Sequence, residues 1–170
     1  ISAFLQYVAE PAALKREALA RAFDDWRRDG DPVREANLTA FRDRHGEALT
    51  HVAIFGALRE SEFGPDPSHW PAELRDPQSD AVIAFAAANA VAVSFHAYLQ
   101  WLADEQLAAV AARARHVGMS IGLYGDLALG SSAGGSDVWA ARDAYAIGVS
   151  IGAPPDDLSP DGQSWGLPPL

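Results

Sequence analysis

The chain has 170 residues, of which 49% are apolar and 21% are charged, a balance typical of a soluble globular protein and not of a disordered one. Its net charge of −10 opposes binding to nucleic acid and to anionic membranes. Because cysteine is absent, disulfides, thiolate metal sites and cysteine nucleophiles are excluded, and we expect a cytoplasmic protein.

The first predicted element is an amphipathic helix. Pro11 suits a first helical turn, apolar residues follow it at three- and four-residue spacing up to Trp26, and Gly30 and Pro32 end the pattern. The stretch before it lacks the basic leader and apolar run of a signal peptide. It also lacks an initiating Met, so we expect the chain to be an internal part of a longer protein.

Two shorter helices and a loop are predicted next. Apolar residues recur at helical spacing over residues 33–58, and Gly46 marks a joint between two helices. Residues 63–79 contain four prolines, each of which disfavours a helix in the residue before it, so this segment is predicted to be a loop. We expect one turn around residues 72–74, with Trp70 holding the loop to the core.

A long alanine-rich helical stretch follows the loop. Ser79 or Asp80 is suited to cap it, Asn89 marks a bend, and Gly118 can end it. Its most apolar part, residues 81–95, is shorter than the ~20 residues that a membrane span needs, and this predicts a buried helix. The side chains expected on its buried side are Phe95, Leu99, Leu102, Leu107 and Val110.

The hydrophobic period changes after Gly118. Met119, Ile121 and Leu123 alternate with smaller residues, which predicts a short buried strand. A second alternation over residues 145–151 predicts another short strand before a loop rich in proline and glycine. The chain is therefore predicted to be mostly α, with little β-structure near its end.

Three motifs that would indicate a particular chemistry are absent from the sequence. The five histidines have neither the spacing nor the carboxylate partners of a zinc site. The run GSSAGGSD lacks the patterns of phosphate-binding loops, and no serine lies in G-x-S-x-G.

Polar residues that could bind a ligand lie at two places in the sequence. Asp126 follows the first predicted strand, where a barrel presents functional groups, although an aspartate there also suits a turn or a helix cap. In the last loop, hydroxyl-binding groups surround an aromatic ring that can cover a sugar face, although such loops are also common connections. These groups are Asp156, Asp157, Ser159, Gln163 and Trp165.

These two places carry a family resemblance. The order FHAYLQWLADEQLAA, IGLYGDLALG, SDVW and VSIGAPPDDLSPDGQSWGLPP is similar to amylomaltases, the 4-alpha-glucanotransferases of glycoside hydrolase family 77. The earlier segments HWPAELRDPQS and AFAAANA also fit. The resemblance is most pronounced over residues 95–169 and covers most of the chain.

The resemblance implies a (β/α)8 barrel of the alpha-amylase clan. On this basis residues 1–117 form a helical insertion and a barrel helix, and residues 118–170 form the third barrel strand and a mobile substrate-binding loop. The whole enzyme would transfer alpha-1,4-glucan segments between maltodextrins with retention and without a cofactor. Its partners would be maltooligosaccharides and other alpha-1,4-glucans, with no role for nucleic acid or membrane.

The resemblance also assigns residue roles. It places both catalytic carboxyl groups beyond Leu170, so none is expected in this span. Many relatives have aromatic residues where this chain has Asp157 and Leu158. The positions that match substrate-binding residues of the family are Asp126, Asp156, Ser159, Gln163 and Trp165.

A second hypothesis concerns the 170 residues alone. On this hypothesis they form a non-catalytic helical module that at most binds glucan weakly or packs against the rest of a barrel. One or two barrel strands without their neighbours leave unpaired edges, so the isolated chain is expected to self-associate.

Overall fold

The computed structural model describes the backbone of residues 2–170 and the side chains from Pro11 onward. As predicted, this part of the chain is mostly helical, and one two-stranded sheet lies near its end. The elements are α1 (Ser2–Asp29), α2 (Pro32–Arg59), α3 (Asp80–Ala88), α4 (Ala90–His116), α5 (Ser136–Ala140), β1 (Ile151–Ala153) and β2 (Gln163–Leu167). Short 3₁₀ turns are formed by Pro67–His69, Ala72–Leu74 and Arg142–Ala144.

Helix α1 begins earlier than predicted. The sequence pattern placed its first turn at Pro11, but the helix starts at Ser2 and runs through the proline. Proline in a helix removes one backbone hydrogen bond without necessarily ending the helix. The preference of proline for the first helical turn therefore gave the wrong start for α1. The predicted end is confirmed, because Gly30 has a φ of +63° and its N–H donates to the Trp26 carbonyl at 3.2 Å.

Helix α2 has the predicted start and joint. The Asp31 carboxylate caps it by accepting hydrogen bonds from the N–H groups of Val33 and Arg34, at 2.9 and 3.3 Å. Gly46 has φ 51° and ψ −129°, a non-helical conformation that divides α2 into two helical parts. Glycine adopts this backbone geometry without the steric cost of a Cβ.

Helices α3 and α4 form the predicted bent pair. Ser79 is the cap, because its Oγ accepts a hydrogen bond from the Val82 N–H at 3.2 Å. The helices meet at Asn89 and differ in direction by 87°. No single helix in the described part of the chain is long and apolar enough to cross a membrane, whereas α3 and α4 together pass both criteria across this bend.

A first hydrophobic cluster joins α1, α2 and α4. The ring of Phe23 lies 5.3 Å from that of Phe95 and 5.2 Å from that of Tyr98, measured between centroids. Trp26 stacks on Tyr98 at 5.3 Å. The buried members of this cluster are Phe23, Leu38, Phe41, Leu49, Ala53, Phe95, Ala97, Tyr98 and Trp101.

A second cluster lies under the proline-rich loop. Trp70 is 0% exposed, and its Nε1–H donates to the Gly64 carbonyl at 2.8 Å, which confirms that this residue holds the loop to the core. Trp139, from α5, donates through Nε1–H to the Leu74 carbonyl at 2.9 Å. The buried members are Ile54, Phe55, Leu58, Trp70, Leu74, Val82 and Trp139.

Two predictions about burial were wrong. Residues 81–95 do not form a buried helix, since Ile83 is 60% exposed and Val91 is also exposed. On α4, Leu107 is 61% exposed and Val110 is exposed, although both were expected on the buried side with Phe95. The periodicity identified the helices correctly, but no described element covers these side chains.

The predicted strand over residues 119–123 does not form. The segment is irregular, and Ile121 is 84% exposed. A strand requires a partner for its backbone hydrogen bonds, and no described segment pairs with this one. The second alternation, over residues 145–151, gives a strand only from Ile151 onward, where β1 pairs antiparallel with β2.

Candidate functional site

Strands β1 and β2 form a hairpin that presents most of the predicted sugar-binding residues. Gly152 pairs with Ser164, whereas Ile151 pairs with Leu167, so β2 bulges outward at Trp165 and Gly166. A Cβ on Gly152 would lie 1.8 Å from the Gln163 carbonyl oxygen, so only glycine permits this close approach. The last loop that the sequence predicted is therefore partly a strand, because Gln163 and Trp165 lie on β2.

Asp156 and Ser159 build the turn at the end of the hairpin. The Asp156 Oδ1 atom accepts hydrogen bonds from the N–H groups of Leu158 at 2.9 Å and Ser159 at 2.6 Å. The Ser159 hydroxyl donates to the Gly162 carbonyl at 2.8 Å. Both side chains thus hold the backbone of the turn, which is a common use of aspartate and serine in loops.

Gln163 and Trp165 form a polar and aromatic pair on β2. The indole Nε1–H of Trp165 donates to the Gln163 Oε1 at 3.0 Å. The tryptophan is 42% exposed, so part of its ring is open to a ligand. An exposed indole beside a side-chain amide combines an apolar surface with hydrogen-bonding groups, the two features by which proteins recognise glucose units.

Asp126 does not belong to the hairpin. It is exposed, on the irregular segment that follows α4, and its side chain has no hydrogen bond or ion pair with residues 11–170. The same segment reaches the hairpin at Gly130, where an added Cβ would lie 3.5 Å from Leu167 and 3.7 Å from Ile151. The structure therefore brings together Asp156, Ser159, Gln163 and Trp165, and it places Asp126 on a neighbouring segment.

The sequence did not identify Ser150 as a supporting residue. Its Oγ accepts a hydrogen bond from the Gly166 N–H and donates to the Ile151 carbonyl, both at 2.8 Å. Gly166 has a φ of +69°, so this bond fixes the backbone directly after Trp165. A single polar residue in the apolar alternation of residues 145–151 was the available signal.

Among the described residues, three groups with a perturbed pKa lie where α1, α2 and α4 meet, and a fourth, Asp66, has its pKa lowered in the proline-rich loop by the Ser68 N–H. Arg16 donates through Nε–H to Glu60 Oε1 at 2.8 Å and also pairs through Nη2 with Oε2, and this hydrogen bonding lowers the pKa of Glu60. The His96 Nε2 lies 3.4 Å from Glu60 Oε2, and burial lowers the pKa of His96. These groups join three helices and are separate from the hairpin.

No set of three or more histidine, aspartate and glutamate side chains converges in the described part of the chain in a way that could hold a metal ion.

Comparison with known proteins identifies the family. The family model for 4-alpha-glucanotransferase, glycoside hydrolase family 77, matches residues 5–170. The 4-alpha-glucanotransferase of Mycobacterium tuberculosis is 46% identical over 136 residues, which are 80% of this chain. That of Haemophilus influenzae is 35% identical over 168 residues, and that of Thermus thermophilus is 33% identical over 162, each covering 92% of this chain.

Solved structures give the same result. The amylomaltase of Corynebacterium glutamicum is 36% identical and matches 82% of this chain and 18% of its own with a TM-score of 0.63. The amylomaltase of Streptococcus agalactiae in complex with acarbose is 22% identical and shares the fold, with a TM-score of 0.80 over 92% of this chain and 32% of its own.

The chain thus has the fold and sequence of a region found in enzymes of glucan metabolism. It belongs to the 4-alpha-glucanotransferase family. It spans 19% of the length of the Mycobacterium relative, 24% of the Haemophilus relative and 32% of the Thermus relative.

Proposed function

We propose that this chain forms part of a 4-alpha-glucanotransferase that transfers alpha-1,4-glucan segments between maltodextrins. The observation that carries the proposal is the family match over residues 5–170. Because the chain covers a third or less of the curated relatives named above, the activity is proposed for the whole protein and not for these 170 residues.

The hairpin is the proposed glucan contact. Trp165 offers an indole that is 42% exposed, and the neighbouring Gln163 amide retains hydrogen-bonding capacity beyond its bond to that indole. A glucose unit would place its C–H face on the ring and its hydroxyls against the amide. Asp156 and Ser159 would act mainly by holding the turn in shape, as their hydrogen bonds to the backbone indicate.

The proposed reaction is a retaining double displacement. Such chemistry uses two carboxyl groups about 5–5.5 Å apart, one as nucleophile and one as acid and base. By family resemblance both would come from parts of the protein beyond Leu170, and Asp126 would support the sugar at the donor site. The exposed position of Asp126 and its lack of bonded partners among residues 11–170 are consistent with such a role.

We further propose that residues 119–124 become the third strand of a (β/α)8 barrel in the whole protein. Support comes from the exposed apolar side chains of Met119, Ile121 and Leu123, which neighbouring strands would cover. Residues 1–117 would then be a helical insertion and a barrel helix, and residues 118–170 would carry the strand and the substrate-binding segment.

The alternative function is that of a non-catalytic module. The same exposed residues, together with Leu107 and Val110 on α4, favour self-association of the isolated chain, because their apolar side chains are exposed. This alternative describes the 170 residues alone and is compatible with a transferase function of the whole protein.

Product analysis with maltotriose tests the proposal. The whole protein and the 170-residue chain are incubated separately with maltotriose, and the products are separated by chromatography. We expect glucose and a series of longer maltooligosaccharides from the whole protein, inhibited by acarbose, and no products from the chain. An inert whole protein would contradict the transferase assignment, and an active chain would contradict the placement of the catalytic carboxyl groups.

A substitution tests the role of the hairpin. Trp165→Ala in the whole protein is expected to lower kcat/KM on maltotriose about tenfold, the size of one lost sugar contact. Val33→Ala, which changes an exposed apolar residue on α2, is the control and is expected to leave kcat/KM unchanged. Equal values for Trp165→Ala and the unchanged protein would show that the hairpin does not contact the substrate.

A further inference from the structure

A cleft lies outside the hairpin. It has a volume of about 630 Å³ and lies between the segment of residues 75–78 and the segment of residues 139–144. Sites for small molecules typically have volumes of roughly 300–1,000 Å³. The sequence did not predict this cleft, because its two walls are about sixty residues apart in the chain.

The base of the cleft is held in place by two hydrogen bonds. The Arg75 Nε–H donates to the carbonyl of the buried Trp70 at 2.8 Å. The indole N–H of the buried Trp139 donates to the Leu74 carbonyl at 2.9 Å. Both walls are therefore fixed to the turn of residues 70–74, whose ends Trp70 and Leu74 are buried, and a ligand would bind without a large ordering cost.

The polar groups that line the cleft are balanced in charge. Arg75 and Arg142 are offset by Asp76 and Asp143, and Gln78 adds a neutral amide. The Asp76 Oδ1 accepts the Gln78 N–H at 2.9 Å, whereas the side chains of Arg142 and Asp143 have no bonded partner among residues 11–170. An anion would meet two carboxylates here, but an uncharged ligand rich in hydroxyl groups would find both donors and acceptors.

The cleft is connected to the hairpin. An adjoining cavity of about 290 Å³ shares Arg75, Trp139 and Arg142 with it and extends to Ile147. Next to Ile147, the Ala146 N–H donates to the Pro169 carbonyl at 2.8 Å, just beyond β2. The segment that lines the cleft is thus bonded to the end of the segment that carries Trp165.

We propose that this cleft is an additional glucan-binding site that holds one or two uncharged glucose units. The inference rests on the proposed function, since it assigns the ligand as an alpha-1,4-glucan. Arg142 and Asp143 would bond to the hydroxyl groups, and Arg75 would form a fixed wall.

Titration of the whole protein with maltoheptaose, followed by the NMR shifts of its backbone amides, tests the cleft. We expect the amides of Gln78, Arg142 and Ala144 to shift with one common dissociation constant. Arg142→Ala should raise that constant about tenfold, as expected for the loss of a charge-assisted hydrogen bond. Arg113→Ala, at an exposed arginine in the last turn of α4, is the control and should leave it unchanged.

The fold of each variant is checked by its urea midpoint, which Arg142→Ala should leave unchanged because the side chain is exposed and has no bonded partner among residues 11–170. Shifts confined to residues 151–167, or no shifts at all, would overturn the cleft proposal. Cleft shifts produced by inorganic phosphate and not by maltoheptaose would overturn it as well. None of these results decides the transferase proposal, which fails only if the whole protein is inert on maltotriose.

Discussion

The two ends of this chain are organised in different ways. Residues 11–117 supply the two hydrophobic clusters almost entirely, and Val138 and Trp139 are the buried apolar core residues that lie after residue 118. In the first region, helices satisfy their own backbone hydrogen bonds and pack through one face. In the second region, β1 and β2 pair with each other, but most of the remaining backbone is irregular and few apolar side chains are buried. Local pattern is therefore enough to identify the helices of the first region, whereas the structure of the second region depends more on pairing between segments.

The largest effect is expected from a matched pair of tryptophan substitutions. Trp70→Ala removes a side chain that is 0% exposed and loses its bond to Gly64, so it should reduce the free energy of unfolding by about 3–5 kcal/mol. Trp165→Ala, in the second region, should change it by less than about 0.5 kcal/mol because the indole is half exposed. Urea denaturation followed by circular dichroism measures both.

Equal losses for Trp70→Ala and Trp165→Ala would contradict this difference between the two regions. Similar losses would mean that the hairpin is as much a part of the cooperative unit as the proline-rich loop is. A Trp70→Ala variant with an unchanged free energy of unfolding would show that the second cluster contributes little to stability.

The sequence predicted the helices better than it predicted their exposure. Gly46, the Ser79 cap, the bend at Asn89 and the end at Gly118 are all confirmed, because each depends on a local backbone preference. The burial of residues 81–95 and of Leu107 was wrong, since an apolar face is buried only if another element covers it. The strand over residues 119–123 does not form because no described segment pairs with its backbone.

A smaller effect is expected where α2 and α4 meet. A Cβ on Gly56 would lie 2.4 Å from the His96 Nδ1, so Gly56→Ala must displace that ring. We expect a loss of about 1–3 kcal/mol in the free energy of unfolding, the usual cost of overpacking. Gly134→Ala is the control, because its Cβ would meet Pro67 at an ordinary 3.7 Å. An equal loss for both would contradict the tight contact between the helices.

The same contact predicts how stability depends on pH. His96 and Glu60 both have lowered pKa values, through burial and through the bonds to Arg16 respectively. The unfolded chain therefore binds protons more readily, and stability falls as pH decreases, first below 6.5 for His96 and then below 4.5 for Glu60. Urea midpoints at pH 8, 6 and 4 should decrease in that order.

Two substitutions separate the contributions to this pH dependence. His96→Gln should remove the part that appears just below pH 6.5, and Glu60→Gln should remove the part that appears below pH 4.5. Glu17→Gln is the control, because its exposed pair with Arg21 lies within one helix and contributes little. A urea midpoint that is higher at pH 6 than at pH 8 would contradict the sign of the prediction.

The candidate site was predicted in part, for a chemical reason. Sugar-binding residue types cluster within ten positions of the sequence, so four of the five predicted residues lie on one hairpin. The bulge at Trp165 and the supporting Ser150 were missed, because the register of a hairpin depends on pairing between segments. The cleft beside Arg142 was missed because its walls are distant in sequence.

The smallest effect is expected from Ser150. Ser150→Ala removes the acceptor for the Gly166 N–H, a bond of 2.8 Å that fixes the backbone after Trp165. Such a bond contributes about 1 kcal/mol, so global stability should change little, but exchange of the Gly166 amide hydrogen should become several-fold faster. Hydrogen exchange followed by NMR measures this rate, with Ser120→Ala in the irregular segment as the control. If the rate does not change, the bulge is held by the strand pairing itself, and the second region would be more self-sufficient than its exposed apolar residues indicate.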